Sequence, residues 1–314
     1  MVYLTQRLLA TLPTVLGVVT LAFLLIHIAP GDPAELMLGD YTGVTPQVLA
    51  DMRARLGLDR PLPVQYVSYV TSVLRGDLGR SFRTNRPVLS EIAAQTPFTL
   101  ILAAAGVAVA VLLGVPAGIV SALRRNTTVD YITTTVAMFW LASPSFWFAI
   151  LLIYFLSYRL GWFPVFGAGT WGDWRSLALH LILPAAAIGV RSAALISRMT
   201  RSSMLEVLHQ DYVRTARAKG LAERGVLWGH VLRNSAIPVV TVAGLTYGTI
   251  LGGTVITESV FAWPGVGRLA LEAVYNRDFP LVQATVFVAA FVFVVINFVL
   301  DLTYGWLDPR IRLR

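Results

Sequence analysis

A chain of 314 residues that is 56% hydrophobic and 13% charged, with a mean hydropathy of +0.69, is not a soluble globular domain, because such a domain carries about twice that charge fraction. The formal net charge of +8 raises nucleic acid as a partner, but the basic residues stand at the ends of apolar runs, as membrane anchoring and orientation require, so no nucleic acid is expected. The lack of cysteine excludes disulfides, thiolate chemistry and Cys-based metal sites.

Six apolar stretches, near residues 8–29, 97–122, 131–157, 177–197, 236–257 and 281–302, each reach the roughly 20 residues that a bilayer core needs. The expected fold is therefore all-α and polytopic, with six transmembrane helices. The first stretch lacks a small-residue cleavage site and ends in Pro30-Gly31-Asp32-Pro33, so it reads as a retained span rather than a signal peptide. Arg7, Arg124-Arg125, the basic 198–235 segment and Arg310, Arg312 and Arg314 all fall on one side, which the positive-inside rule makes cytoplasmic. Both termini are then inside. The loops 158–176 and 258–280 fall outside, and aromatics gather there as interfacial belts (Tyr158, Trp162, Phe163, Phe166, Trp171, Trp174, Phe261, Trp263).

Three regions follow: 1–29 as N-terminus and first span, 30–96 as an insertion, and 97–314 as a five-helix core. The insertion balances basic against acidic residues, so parity alone places it on the extracytoplasmic side. Thr45 as cap with Pro46 at the first helical position predicts a helix toward Leu56, stopped by Gly57. Val64–Leu74 reads as a second, amphipathic helix.

Small residues recur every four positions in span two (Gly106, Ala110, Gly114, Gly118) and span five (Gly244, Gly248, Gly252). That spacing makes one helix face fit for close backbone approach, either within the chain or against a second subunit. Pro144, between Ser143 and Ser145, and Pro184 are expected to kink spans three and four.

Titratable groups inside the spans are His27, His180, Arg191 and Asp301. An Arg or Asp at mid-helix costs about 2.5–3.5 kcal/mol on insertion scales, so each is a candidate site. His27 and His180 lie near outer ends, where hydration accounts for them. Asp301 lies near an inner end, within reach of water or of a local hydrogen-bond network. Arg191, about two turns before Arg198, either snorkels to the cytoplasmic surface or lines a cavity. With Asn297, the main amide of the spans, Arg191 and Asp301 are the candidate pathway residues. His27, His180 and Asp301 sit on different spans, so no metal site is expected.

Between spans four and five lies a polar interruption at about 198–238, where Arg198, Arg201, Arg214, Arg217, Lys219, Arg224 and Arg233 outnumber Glu206, Asp211 and Glu223. Asp211 as N-cap, Tyr212–Lys219 as helix and Gly220 as C-cap predict a short helix, and Glu223–Leu232 a second. Gly220 needs a left-handed or closely approached backbone, and Ala216 is expected to face a partner closely. After span five, Pro264-Gly265 marks a tight turn, Phe261 and Trp263 are expected in the headgroups, and Leu269–Val274 forms a short helix.

Enzymatic readings find no support. No Gly-x-Ser-Gly run, paired intramembrane acids, His-Glu-x-x-His motif or phosphate-binding loop occurs, so the chain is not expected to hydrolyse ATP or peptide bonds. A secondary transporter would show repeated halves and several buried charges, which are not seen.

The run Tyr212-Val213-Arg214-Thr215-Ala216-Arg217-Ala218-Lys219-Gly220-Leu221, with His230-Val231-Leu232-Arg233-Asn234 and Ile237-Pro238, resembles the EAA loop of binding-protein-dependent ABC importer permeases. The resemblance is to the dipeptide/oligopeptide branch and its B-type subunit. Arg214, Thr215 and Ala216 stand where the general pattern has Glu-Ala-Ala, and Arg233 where it has a later Pro; the peptide branch tolerates both. Pro30-Gly31-Asp32-Pro33, Leu56-Gly57-Leu58-Asp59-Arg60-Pro61, Gln65-Tyr66 and Gly76-Asp77-Leu78-Gly79-Arg80-Ser81 resemble that branch's N-terminal extension. Glu258, Phe261, Pro264, Gly265 and Gly267 match its outer loop, and Asp308-Pro309-Arg310-Ile311-Arg312 its C-terminus, so the resemblance spans the chain.

What it implies is a type I importer permease of a bacterial inner membrane. Asp211 to Leu221 (Asp211, Tyr212, Arg214, Thr215, Ala216, Arg217, Ala218, Lys219, Gly220, Leu221) would form the coupling helix that docks on an ATPase. Two ATPase subunits would carry ATP and Mg, with no cofactor on this chain. The other partners implied are a second permease subunit, an extracytoplasmic binding protein and the lipid bilayer. The substrate implied is a di- or oligopeptide, with nickel or glutathione as alternatives.

Overall fold

The computed structural model describes residues 2–28, 34–35 and 45–307. The Pro30–Pro33 run and the C-terminal motif at 308–312 lie outside the described residues. The described residues are mostly helical, and five helices are long and apolar enough to cross a membrane, with a bent pair as the sixth. The chain divides into two compact units, 1–97 with 265–298, and 98–264 with 299–314.

In the first unit, α1 (Val2–Ile28) packs on α3 (Leu62–Leu74) through Phe23, whose ring lies 5.3 Å from Tyr66 and 5.8 Å from Tyr69. His27 is exposed, as hydration at a span end requires, and also has partners within the chain. Its ring nitrogens lie 3.0 Å from the Phe23 carbonyl and 3.1 Å from Gln65 Oε1. Between them α2 (Pro46–Leu56) forms as expected: the Thr45 hydroxyl accepts from Val48 N, and Gly57 turns left-handed at φ 68° to close the C-terminus.

The Gly76–Ser81 motif also has a physical reading. Asp77 accepts from Gly79 N, and the backbone then meets a buried carboxylate, Asp278, which accepts from Ser81 Oγ, Phe82 N and Arg83 N. Asp278 also accepts from Leu281 N, at the start of α13 (Phe279–Leu307). One carboxylate thus ties the loop to a span. Val88, Ile92, Val266, Ala273, Leu281 and Ala284 form the unit's apolar core. They join the start of α4 (Val88–Leu123), α12 (Val266–Tyr275) and α13.

The second unit is built on α7 (Trp174–Leu208), which packs on α4 and on α10 (Arg233–Gly253). The span-two glycines are committed inside the chain. A Cβ on Gly114 would lie 2.6 Å from the Ala193 carbonyl oxygen, and one on Gly118 2.5 Å from that of Ser197. In span five, by contrast, Gly252 faces open space.

Span three is broken rather than kinked. Pro144 drives Ser143 into an extended conformation (ψ 137°), as proline does to the residue before it. The chain turns by 101° between α5 (Thr128–Ala142) and the Ser145–Arg159 helix, here α6. Pro184 produces no such break, and α7 remains one element.

Span five stops at Gly253, short of the expected 257, and α11 (Val255–Val260) follows. Phe261 and Trp263 do not sit in the headgroups. Both are buried, Trp263 at 0% exposure against Leu102 and Ala168, with its indole N–H donating to the Phe98 carbonyl at 3.0 Å. The tight turn asks for this burial, because it folds the aromatic pair back over the helix ends. The belt expected at 158–174 is exposed as an interface requires at Tyr158, Trp162, Phe166, Trp171 and Trp174, while Phe163 is half-buried against the cluster of Ala149, Leu183, Ala187 and Phe261. The α12 helix covers the expected Leu269–Val274 with a turn to spare.

The turn after α11 places Ala262 at φ 48°, with Trp263 N donating to the Glu258 carbonyl at 2.8 Å. This is a left-handed helix stop of the kind that favours glycine. Ala262→Gly is expected to stabilise the folded protein by about 0.5–1 kcal/mol, the side-chain penalty of that conformation less the added freedom of the unfolded chain. A rise in the melting temperature of the solubilised protein would show it, and a fall would contradict it.

Candidate functional site

The basic interruption folds into a hairpin. Its first arm, α8, runs Asp211–Ala218. Gln210, not Asp211, holds the extended cap position, and Asp211 enters the first turn, where its carboxylate meets the positive end of the helix. At the other end Gly220 is left-handed at φ 77°, with Gly220 N donating to the Arg217 carbonyl at 2.9 Å and Leu221 N to that of Ala216 at 3.4 Å. This pair of bonds is the Schellman stop. A Cβ on Gly220 would meet nothing within 4 Å, so conformation, not crowding, calls for glycine.

The return arm α9 (Glu223–Val226) widens into a π-helical stretch, Leu227–Leu232, and enters α10 without interruption. Arg217 clamps the two arms by donating to both oxygens of Glu223, at 2.7 and 3.1 Å.

The face pointing inward is not the one expected. Val213 is fully buried and Ala216 is 6% exposed, packed with Ala122, Met204, Val226 and Val231. Their i, i+3 spacing seats the hairpin on the ends of α4 and α7. Ala216 therefore faces its own chain. Asp211, Tyr212, Arg214, Thr215, Arg217, Ala218, Lys219, Gly220 and Leu221 are exposed, with an ion pair between Arg214 and Asp211 at 3.6 Å. The free surface is basic, with Tyr212 and Leu221 as its apolar points.

Close to the hairpin lies a buried carboxylate that the expected start of span three, at residue 131, leaves outside the span. Asp130 is 3% exposed. It accepts from Arg201 Nε and Nη2 at 2.8 and 2.7 Å, from the Ser121 hydroxyl, and from Asn126 N at 3.0 Å. A single side chain thus joins spans two, three and four. The sequence signal was Asp130 in the first turn after Asn126-Thr127, a helix start one residue before the apolar run.

Two of the cavities along α7 hold its arginines. The first, about 310 Å³, takes in Arg191 and Ser192 with Leu141, Ser145, Thr246, Thr249 and Thr257. The second, about 590 Å³, takes in Arg198, Arg201 and Ser202 with Asn126, Asp130 and Thr134. Arg191 thus lines a cavity.

The other pathway candidates are not brought to it within this unit. Asn297 belongs to the first unit and its amide donates to the Phe293 carbonyl of its own helix at 2.9 Å. Asp301 lies in α13, its side chain outside the described residues. His180 is held through Nδ1, 2.8 Å from the Ser176 carbonyl. Of the outer-loop residues, Glu258 is fully buried and accepts from Thr99 Oγ1 at 2.8 Å, and Phe261 packs on Ala149, Leu183 and Ala187. Pro264 ends the turn in the second unit, while Gly265 caps α12 and Gly267 lies in its first turn, both in the first unit.

A bundle of membrane-crossing helices with hydroxyl-lined cavities and a basic, rigidly seated hairpin belongs to a component of membrane transport. The family comparison names it. Residues 114–313 match the family described as binding-protein-dependent transport system inner membrane component, and residues 1–103 its N-terminal companion. The chain belongs to this family.

Similar proteins include the dipeptide transport system permease protein DppB of Alkalihalophilus pseudofirmus, 41% identical over 99% of both chains. The di/tripeptide permease DppB of Pseudomonas aeruginosa is 42% identical over 99% of this chain and 98% of its own. The glutathione permease GsiC of Pectobacterium atrosepticum is 44% identical over the same shares. Among solved structures, an inward-facing form of the MetNI methionine ABC transporter matches 69% of this chain and 96% of its own, with a TM-score of 0.57 at 18% identity, a likeness of fold.

Proposed function

We propose that the protein is the permease subunit of an ATP-driven importer that carries di- or oligopeptides across a bacterial inner membrane. The observation that carries this is the hairpin. Its buried face grips the ends of α4 and α7, and its return arm runs into α10 without a joint, so a displacement of the exposed face moves three spans together. The exposed Asp211–Leu221 surface would dock on one of two ATPase subunits, which bind ATP and Mg. Both termini and the hairpin would then be cytoplasmic. The 30–96 segment, as a separate region after the first span, and the 258–280 loop would face an extracytoplasmic binding protein. A second permease subunit would complete the path, and the open Gly252 face of span five suits that contact. Similarity to glutathione permeases at 44% identity supports a second reading for cargo, since glutathione is itself a tripeptide.

The test is reconstitution with the partner subunits and binding protein. Short peptides differing in their side chains are expected to be imported at comparable rates, because the cavity walls are mostly hydroxyl and apolar. Uptake of glutathione to the exclusion of ordinary dipeptides would select the second reading. Saturable nickel uptake without peptide transport would overturn both.

A further inference from the structure

Arg191 is the eighteenth residue of the 35-residue α7 and lies within its apolar span, six residues, or about 9 Å, before that span ends at 197. A guanidinium at that depth is costly unless something offsets its charge. Among the described residues no carboxylate lines its cavity, and Arg191 makes no ion pair or hydrogen bond. The neighbouring acids are committed elsewhere, Asp130 to Arg201 and Glu258 to Thr99. What faces Arg191 is a group of hydroxyls, Ser145, Ser192, Thr246, Thr249 and Thr257, drawn from four helices. They are weak polar neighbours, and Arg191, exposed on the surface of the chain, keeps its positive charge available.

The geometry continues toward the hairpin. Arg198 follows Arg191 by seven residues, on the same face and about 10 Å further along the axis. Leu195, between them, lines both cavities, so the two adjoin along one stripe of α7. Arg198 is exposed in the second cavity and, like Arg191, makes no ion pair among the described residues. Arg201 of the same cavity is already held by Asp130.

We propose that Arg191 binds the carboxylate of the cargo in the inner part of span four and that Arg198, just beyond the end of that span, receives it next, two steps of one exit path. This rests on the peptide reading above, since free carboxylate is what every unmodified peptide carries whatever its side chains. Arginine suits the task because its fork pairs both oxygens of a carboxylate. Two sites one reach apart hold the cargo weakly enough to let it leave.

The experiment compares a dipeptide with its C-terminal amide, each supplied preloaded on the binding protein, in proteoliposomes of the whole complex bearing wild-type, R191Q or R191K permease. R191Q is expected to slow import of the free acid about tenfold and to leave import of the amide as it is in the wild type. ATP consumed per free-acid peptide rises by the same factor. R191K recovers most of the loss. An equal loss for acid and amide would overturn the proposal, because Arg191 would then serve packing or an acid on the second permease. So would undiminished import of the acid by R191Q. If the binding protein does not load the amide, the ATP-per-peptide ratio of R191Q against R191K decides, with equal ratios overturning the proposal. Failure of the wild-type complex to import any peptide would instead strike the peptide reading itself.

Discussion

Replacing Asp130 by alanine is expected to destabilise the permease by about 3 kcal/mol, the lower end of what removing one partner of a buried ion pair costs. The lower end applies because Arg201 is 31% exposed and its freed guanidinium can turn toward water. The Ser121 hydroxyl and the Asn126 amide lose their acceptor in the same change. Asp130→Asn keeps the shape and part of the bonding and should fall between. Arg201→Lys keeps the charge but gives up the paired geometry, with a smaller loss. Thermal unfolding of the solubilised protein measures all three, and an Asp130→Ala variant that melts with the wild type would refute the role assigned to the ion pair.

Gly220→Val should abolish transport, by more than tenfold, with the permease still inserted. A β-branched residue at φ 77° is strained, so the Schellman stop opens and Leu221 and the Arg217–Glu223 clamp lose their positions. The apolar cluster beneath survives, which is why the protein should still fold. Gly220→Asn, which tolerates the left-handed region, should retain much of the activity. Uptake and substrate-stimulated ATPase activity of the reconstituted complex separate the outcomes, and full coupling in Gly220→Val would remove the hairpin from the mechanism. Ala216→Glu is not the equivalent test, because its carboxylate would enter the buried cluster. Reversing charge at the exposed Arg214 probes the docking face without disturbing that core.

Much of this fold was legible because the bilayer enforces it. Long apolar runs must be helices, so the spans could be placed to within a few residues at most ends. Local stops were legible for the same kind of reason: Thr45-Pro46, Gly57 and Gly220 each solve a backbone problem with few solutions. What escaped was pairing across the chain. Asp130 looks like an ordinary first-turn acid until Arg201, 71 positions on, turns toward it. Trp263 looks like an interfacial aromatic until the turn at Ala262 folds it inward. Ala216 read as a contact residue because it is small, yet small residues serve close packing within a chain as well as between chains. The 101° break at Ser143-Pro144 was legible in place but not in size, since proline sets where a helix bends and the neighbours decide how far.

The meeting of α4 and α7 through Gly114 and Gly118 has a mechanical meaning. Side chains give a joint some slack, because they can change rotamer and absorb a small shift. Here the glycine backbone of one helix rests directly against carbonyl oxygens of the other, flanked only by the stiff β-branched side chains of Ile196 and Thr200, so little is left to rearrange. The two helices cannot creep past each other by fractions of an ångström; a change of register would need a whole turn of about 5.4 Å. Below that threshold they behave like a shaft and its sleeve, keyed together. Force applied at the Leu208 end is delivered without backlash to the level of Gly189, where α7 again touches the backbone of α4 at Gly106.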